Sequence, residues 1–154
     1  MELSFIIKTF SKLTTQELYD ILQLRSEVFV VEQDCVYQDI DGKDEKALHL
    51  FAYVNNELVA YARLFAPGDY FEDASIGRVV VKKSVRKFGY GHQLMKAANK
   101  AVEDHFNTSK IHLSAQEYLE KFYNTHGYFR VGEGYLEDGI PHIGMEKSPH
   151  DGRE

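Results

Sequence analysis

At 154 residues, 44% of them hydrophobic and 27% charged, the chain has the size and composition of one globular domain able to bury its own core. A net charge of −6 at pH 7 gives it no general attraction for nucleic acid, and no apolar run approaches the length of a membrane span. The single cysteine, Cys35, excludes an intrachain disulfide, and Met1-Glu2 does not open like a signal peptide, so the expected location is the cytoplasm.

In chain order, residues 3–10 alternate loosely and are expected to open the fold as a strand. Thr14 followed by Glu17 has the spacing of a capping box, in which a hydroxyl and a carboxylate satisfy the exposed amides of a helix start. Leu18, Ile21, Leu22, Val28 and Phe29 then recur at helical spacing, predicting an amphipathic helix from Thr15 to about Phe29. Residues 32–45 are acidic, contain Asp41-Gly42 and show no period, as expected of a long loop; loops of that length are often functional.

Residues 47–54 and 58–65 read as two strands joined by Asn55-Asn56, a pair that tolerates the left-handed backbone of a tight hairpin turn. Beyond Pro67-Gly68, residues 75–81 end in Val79-Val80-Val81, a run expected of a central strand buried on both faces. Residues 91–106 form a helical pattern with Leu94, Met95, Ala98 and Val102 as its buried stripe. A strand over 111–115, a helix over about 117–125 that stops at Gly127, and short strands over 129–131 and 142–145 complete the pattern. The succession describes one mixed α/β domain over residues 1–147, with a polar tail over 148–154.

The acidic character is interrupted by Lys82, Lys83, Arg86 and Lys87, which suit either a small polyanionic ligand or a solvated loop. These cations lie between the valine strand and a glycine turn, Gly89-Tyr90-Gly91, that opens the next helix. Alternate glycines let backbone amides turn inward, and a helix N-terminus adds partial positive charge, so the segment can cradle a phosphate. A Walker A loop is ruled out because His92-Gln93 follows Gly91 in place of Lys and Ser/Thr. A dinucleotide site would need a third glycine where Leu94 stands. A glycine cap with no ligand is the remaining alternative.

The pattern Arg86-x-x-Gly89-x-Gly91, after a valine strand and before Leu94-Met95, resembles the acetyl-CoA-binding motif of the GNAT acyltransferases. Ala115-Gln116, Phe122-Tyr123 and Gly127-Tyr128 resemble the second signature of that superfamily. Val28-Phe29-Val30-Val31-Glu32-Gln33, His49-Leu50, Gly77-Arg78-Val79-Val80-Val81 and the segment from Tyr135 to His142 are similar to the ElaA-like subgroup. The resemblance spans nearly the whole chain. It implies an α/β (α+β) fold: a mixed, mostly antiparallel sheet with flanking helices and a splayed parallel strand pair.

It also implies an enzyme transferring an acetyl group directly from acetyl-CoA, a co-substrate, to a primary amine of a small-molecule or peptide acceptor. By the resemblance, the backbone of Val79, Val80 and Val81 would pair with the pantetheine arm. Amides from Arg86 through Lys87, Gly89, Tyr90, Gly91 and His92 would hold the pyrophosphate, with the nearby cations offsetting its charge, and Gln116 and Tyr123 would also bind the cofactor. Tyr123 would protonate the departing thiolate, the reference pKa values being about 10 for a phenol and about 8.5 for a thiol. Glu32 and His49 are the expected candidates for the general base, with His142 a third. Cys35 is expected to be a packed thiol or a pocket wall, and no metal is expected because the histidines lack close ligand spacing. The acidic loop, if it lines the mouth, would favour a cationic amine. Pairing of sheets makes homodimers common in the superfamily. A CoA-binding sensor or scaffold without catalysis, a nucleotide-dependent oxidoreductase and an interaction domain are the alternatives that the residues leave open.

Overall fold

Alternation of apolar side chains along the strands sorts them onto the two faces of a single seven-stranded sheet in the computed structural model, which describes residues 2–148. The strands are β1 (Phe5–Thr9), β2 (Leu48–Val54), β3 (Glu57–Phe65), β4 (Ala74–Val81), β5 (Ile111–Gln116), β6 (Phe129–Glu137) and β7 (Ile140–Lys147), in the spatial order β1-β2-β3-β4-β5-β7-β6. All neighbours are antiparallel except β4 and β5, which the 17-residue helix α2 (Tyr90–Phe106) connects. Leu50, Ala60, Ala62 and Leu64 pack with Leu94, Met95, Ala98 and Val102 of α2 on one face. Phe51, Tyr61 and Val80 pack on the other with Ile21 and Leu24 of α1 (Thr15–Arg25). No helix of the described residues is long and apolar enough to cross a membrane.

Local chemistry accounts for several boundaries. Thr14 accepts from the amide of Glu17 at 3.0 Å while the Glu17 carboxylate accepts from the amide of Thr14 at 2.9 Å, completing the capping box. Asn55 and Asn56 have φ of 51° and 65°, the backbone of a two-residue hairpin turn. Gly127, with φ of 92°, follows the last helix as expected.

Four boundaries differ from the sequence reading. The first helix is α-helical only to Arg25; a π-helical turn, Ser26–Glu32, continues it, burying Val28 while Glu32 reaches Arg86. The helix expected over 117–125 is a 3-10 turn, Glu117–Leu119, followed by the short α3 (Glu120–Asn124). The strands expected over 129–131 and 142–145 are the inner parts of a long hairpin that turns at Asp138-Gly139, with φ of 51° and 79°. Every residue of β6 is exposed and its register shifts between Val131 and Tyr135, so this edge strand carries no apolar alternation to read. β4 is not buried on both faces: Gly77, Arg78, Val79 and Val81 are half-buried because β5 leaves its side. Except for Ser148, the expected polar tail lies outside the described residues.

Candidate active site

Strands β4 and β5 pair only at Ala74–Ile111 and Ser75–His112 and then diverge. The divergence opens a cleft between them, and β4 bulges there. Arg78 and Val79 together oppose Ala62, between the pairs Arg63–Gly77 and Tyr61–Val80. Arg78 has φ of 49°, a left-handed conformation that a non-glycine residue holds at a cost of about 1–3 kcal/mol. Its guanidinium is held at 2.8 Å from Asp39 and donates to the Asp39 carbonyl at 3.0 Å, which fixes the bulge.

The end of β4 leads into a 3-10 turn, Lys83–Phe88, and then to Gly89, whose φ of 76° turns the chain into α2. A helix start leaves amides without intrahelical acceptors as a general property, so a glycine turn leading into α2 has the local form of an anion cradle. The side chains around it are less free than their charges suggest. Arg86 binds Glu32 through two nitrogens at 2.5 and 2.7 Å, and its Nε donates to the Val81 carbonyl at 3.0 Å. Lys82 is 3.0 Å from Glu27 and 3.7 Å from Glu57. Only Lys83 and Lys87 of the basic cluster lack a carboxylate partner among the described residues. Of the cations expected to offset phosphate charge, Lys82 and Arg86 are thus already paired with carboxylates.

Two cavities meet in the cleft. The first is lined by Val79, Val80, Val81, Arg86, Gly89, Gly91, His92, Phe122 and Tyr123, gathering most of the expected cofactor residues. Lys87 lies outside it, its ammonium over the Phe88 ring, the Tyr90 ring is buried in the core, and Gln116, expected at the cofactor, lines the second cavity instead. The second cavity holds Gln33, Cys35, Tyr37, Ser114, Gln116, Glu137 and His142. Val79, Leu119 and Tyr123 belong to both walls. Tyr123 is 6% exposed, and burial pushes its phenol well above the ordinary value.

The acidic loop reaches the second cavity with Gln33, Cys35 and Tyr37, but its carboxylates do not line that cavity. Asp39 and Asp44 hold Arg25 at 2.9 and 2.8 Å, Asp41 and Asp44 hold Arg63 at 2.8 and 2.9 Å, and Asp39 holds Arg78. Arg25 and Arg63 are 0% and 1% exposed, so these carboxylates neutralise guanidinium groups inside the protein. Burial raises the Asp41 carboxyl, but hydrogen bonds and charge from Arg63 outweigh it and hold the group at about 2. Because that folded value lies below the unfolded one near 4, the contribution of Asp41 is complete above about pH 5 and fades as pH falls toward 2. Thermal melts across that range should show the loss, and Asp41→Asn should flatten it.

The two expected bases are both engaged elsewhere. His49 is fully buried and outside both cavities. Its Nε2 donates to the Asp44 carbonyl at 3.0 Å and its Nδ1 shares a hydrogen bond with the Tyr61 hydroxyl at 2.7 Å; burial lowers its pKa. Glu32 lies outside both cavities, and the Arg86 hydrogen bonds lower its pKa. The third candidate, His142, is in the second cavity, and its Nδ1 donates to the Ile140 carbonyl at 2.7 Å. That bond leaves Nε2 as the basic nitrogen, 3.8 Å from Glu137. Glu137 in turn accepts from Ser114 at 3.3 Å. Sequence reasoning missed Glu137, Ser114, Tyr37 and Gln33. The signal for Glu137 was the Asp138-Gly139 turn, which marks a hairpin and so sets Glu137 beside the strand of His142.

Comparison with known proteins gives concordant matches. The family model for the acetyltransferase (GNAT) domain matches residues 11–149. Protein ElaA of Escherichia coli is 45% identical over 139 residues, covering 89% of this chain and 91% of that protein. Its crystal structure superposes with a TM-score of 0.88 at 42% identity, over 95% of this chain and 99% of that one. An acyl-CoA N-acyltransferase from Pseudomonas aeruginosa gives a TM-score of 0.89 at 45% identity, over 95% of this chain and all of that one. An acetyltransferase of Bacillus subtilis solved in complex with CoA shares the fold, with a TM-score of 0.63 at 20% identity over 96% and 99% of the two chains.

Proposed function

Since the chain belongs to the GNAT acetyltransferase family, we propose that it transfers the acetyl group of acetyl-CoA directly to a primary amine, with Tyr123 as general acid and His142 as general base. The observation that carries this reading is the position of Tyr123 on the wall common to both cavities. A thioester reaching in from the glycine loop and an amine in the second cavity would meet beside its hydroxyl. The CoA complex of the Bacillus subtilis protein supports the choice of co-substrate. Amides of the Gly89–His92 turn hold the diphosphate. The free edge of β4 at Val79 and Val81 takes the pantetheine arm, once Arg86 yields the Val81 carbonyl or the arm passes it by.

In the reaction the amine nitrogen attacks the thioester carbon, a C–N bond forms and the C–S bond breaks. His142 Nε2 takes the proton that nitrogen sheds, and Glu137 stabilises the resulting imidazolium. Tyr123 delivers its proton to the sulfur. By reference values this second transfer is uphill by about 1.5 pKa units, or about 2 kcal/mol. Burial raises the phenol further, but it raises the thiol in the same cavity too, and it keeps Tyr123 protonated at neutral pH. His49 is assigned a structural role and Glu32 that of ion partner to Arg86.

Thiol release from acetyl-CoA across a panel of amines, beside thermal stabilisation by acetyl-CoA, tests the reading. Stabilisation with no thiol from any amine would replace it with a non-catalytic CoA sensor. His142→Gln is expected to lower kcat/KM at pH 7 by about 10²-fold. The deficit should narrow as pH rises and the amine arrives deprotonated; a variant as active as the parent at pH 7 would remove His142 from the mechanism.

A further inference from the structure

The acceptor cavity continues past Glu137. An adjoining cavity lined by Phe65, Tyr70 and Phe71 shares with it the walls Ile76, Gly77, Arg78, Ser114 and Glu137. Gly77 stands at the junction. A Cβ built there would have no heavy atom within 4 Å, and Gly77 is not among the residues with positive φ. Neither backbone conformation nor crowding therefore demands glycine at this position. A bare position within a strand is what close passage of a ligand requires.

The two ends of the combined groove differ in character. At one end are the carboxylates of Glu137 and Asp138, which no lysine or arginine pairs among the described residues. At the other, Phe65 and Tyr70 stack at 4.9 Å, and Phe71 meets Tyr70 edge-on at 4.9 Å. The bordering guanidinium groups of Arg63 and Arg78 are matched by Asp41, Asp44 and Asp39. The far end is thus aromatic with its guanidinium groups matched, and Glu137, the wall that both cavities share, is the one unmatched carboxylate on its lining.

From this asymmetry we infer that the acceptor is a primary monoamine with an apolar, aromatic-sized tail. This rests on the acetyltransferase reading above. The nitrogen sits among Tyr123, His142 and Glu137, and the tail crosses Gly77 to lie against Tyr70 and Phe71. A polyamine would set its second cation beside Arg63 and Arg78, with Glu137, the unmatched carboxylate shared by the two cavities, already taken by the reacting nitrogen.

The test compares thiol release from acetyl-CoA with ethylamine, 2-phenylethylamine and spermidine, in the parent protein, Gly77→Val and Tyr70→Ala. In the parent, kcat/KM for 2-phenylethylamine should exceed that for ethylamine roughly 10–100-fold, the range a buried hydrophobic group gives. Gly77→Val should bring that ratio close to one and Tyr70→Ala should reduce it, while acetyl-CoA still stabilises both variants thermally. Equal efficiencies in the parent, a preference for spermidine, or a ratio indifferent to both substitutions would overturn the inference and leave the acetyltransferase reading standing. No thiol from any amine would instead defeat the acetyltransferase reading. Calorimetric binding of 2-phenylethylamine then decides the groove: affinity weakened about tenfold or more by Gly77→Val sustains it, and no binding to the parent ends it.

Discussion

Tyr123→Phe is expected to lower kcat about 10²–10⁴-fold while changing acetyl-CoA affinity little. The substitution removes one hydroxyl and keeps the ring, which packs edge-on against Phe122 at 5.1 Å and against Tyr128 at 6.2 Å. A purely structural role would therefore survive the change, and the melting temperature should move little. The buried phenol holds its proton, so the parent enzyme should show no loss of activity on the alkaline side attributable to this group below about pH 10. Steady-state turnover and an acetyl-CoA titration on the same protein check both halves. Unchanged turnover would leave the departing sulfur to collect its proton from water.

Asp44→Ala should destabilise the protein by about 3–5 kcal/mol, the cost of breaking a buried ion pair from one side. A single oxygen of Asp44 accepts from Arg25 at 2.8 Å and from Arg63 at 2.9 Å, and its carbonyl accepts from His49. Without that carboxylate, two guanidinium groups at 0% and 1% exposure lose a shared counter-charge. Asp44→Asn preserves shape but not charge, so it should fall between the parent and the alanine variant. Urea unfolding of the three proteins measures the order; a loss under about 1 kcal/mol for the alanine variant would mean that water reaches the network. The same carboxylates fix the loop that carries Cys35 and Tyr37 to the second cavity, so the destabilised variants should also bind acceptor more weakly.

The glycine-turn side of the cleft was legible because it is local. The valine strand, the turn at Gly89 and Gly91 and the start of α2 are contiguous in sequence, and each residue type serves a backbone requirement of its own position. The acceptor half was not. Gln33 comes from the end of the π-helical turn, Ser114 from β5, and Glu137 and His142 from opposite strands of a hairpin. No spacing rule connects them. His49 shows the converse failure: a histidine on a strand is a plausible base until a tyrosine and a carbonyl are found on its two nitrogens.

Charge was the least readable property. The acidic run at 32–45 and the basic run at 82–87 look like solvated or ligand-facing segments, yet Asp39, Asp41 and Asp44 close on three arginines, and Glu27 and Glu32 close on Lys82 and Arg86. A sequence records how many charges there are and not which of them face one another. By itself the sequence determined the hairpin at Asn55-Asn56, the capped first helix, the glycine turn into the helix at 91–106 and the family, since turn chemistry, periodicity and backbone freedom act over a few residues. Only the tertiary structure decided which carboxylates remain unpaired, that Tyr123 stands between two cavities and that Gly77 opens one into the next. Those outcomes depend on distances between segments far apart in the chain, and burial sets the energetic weight of each.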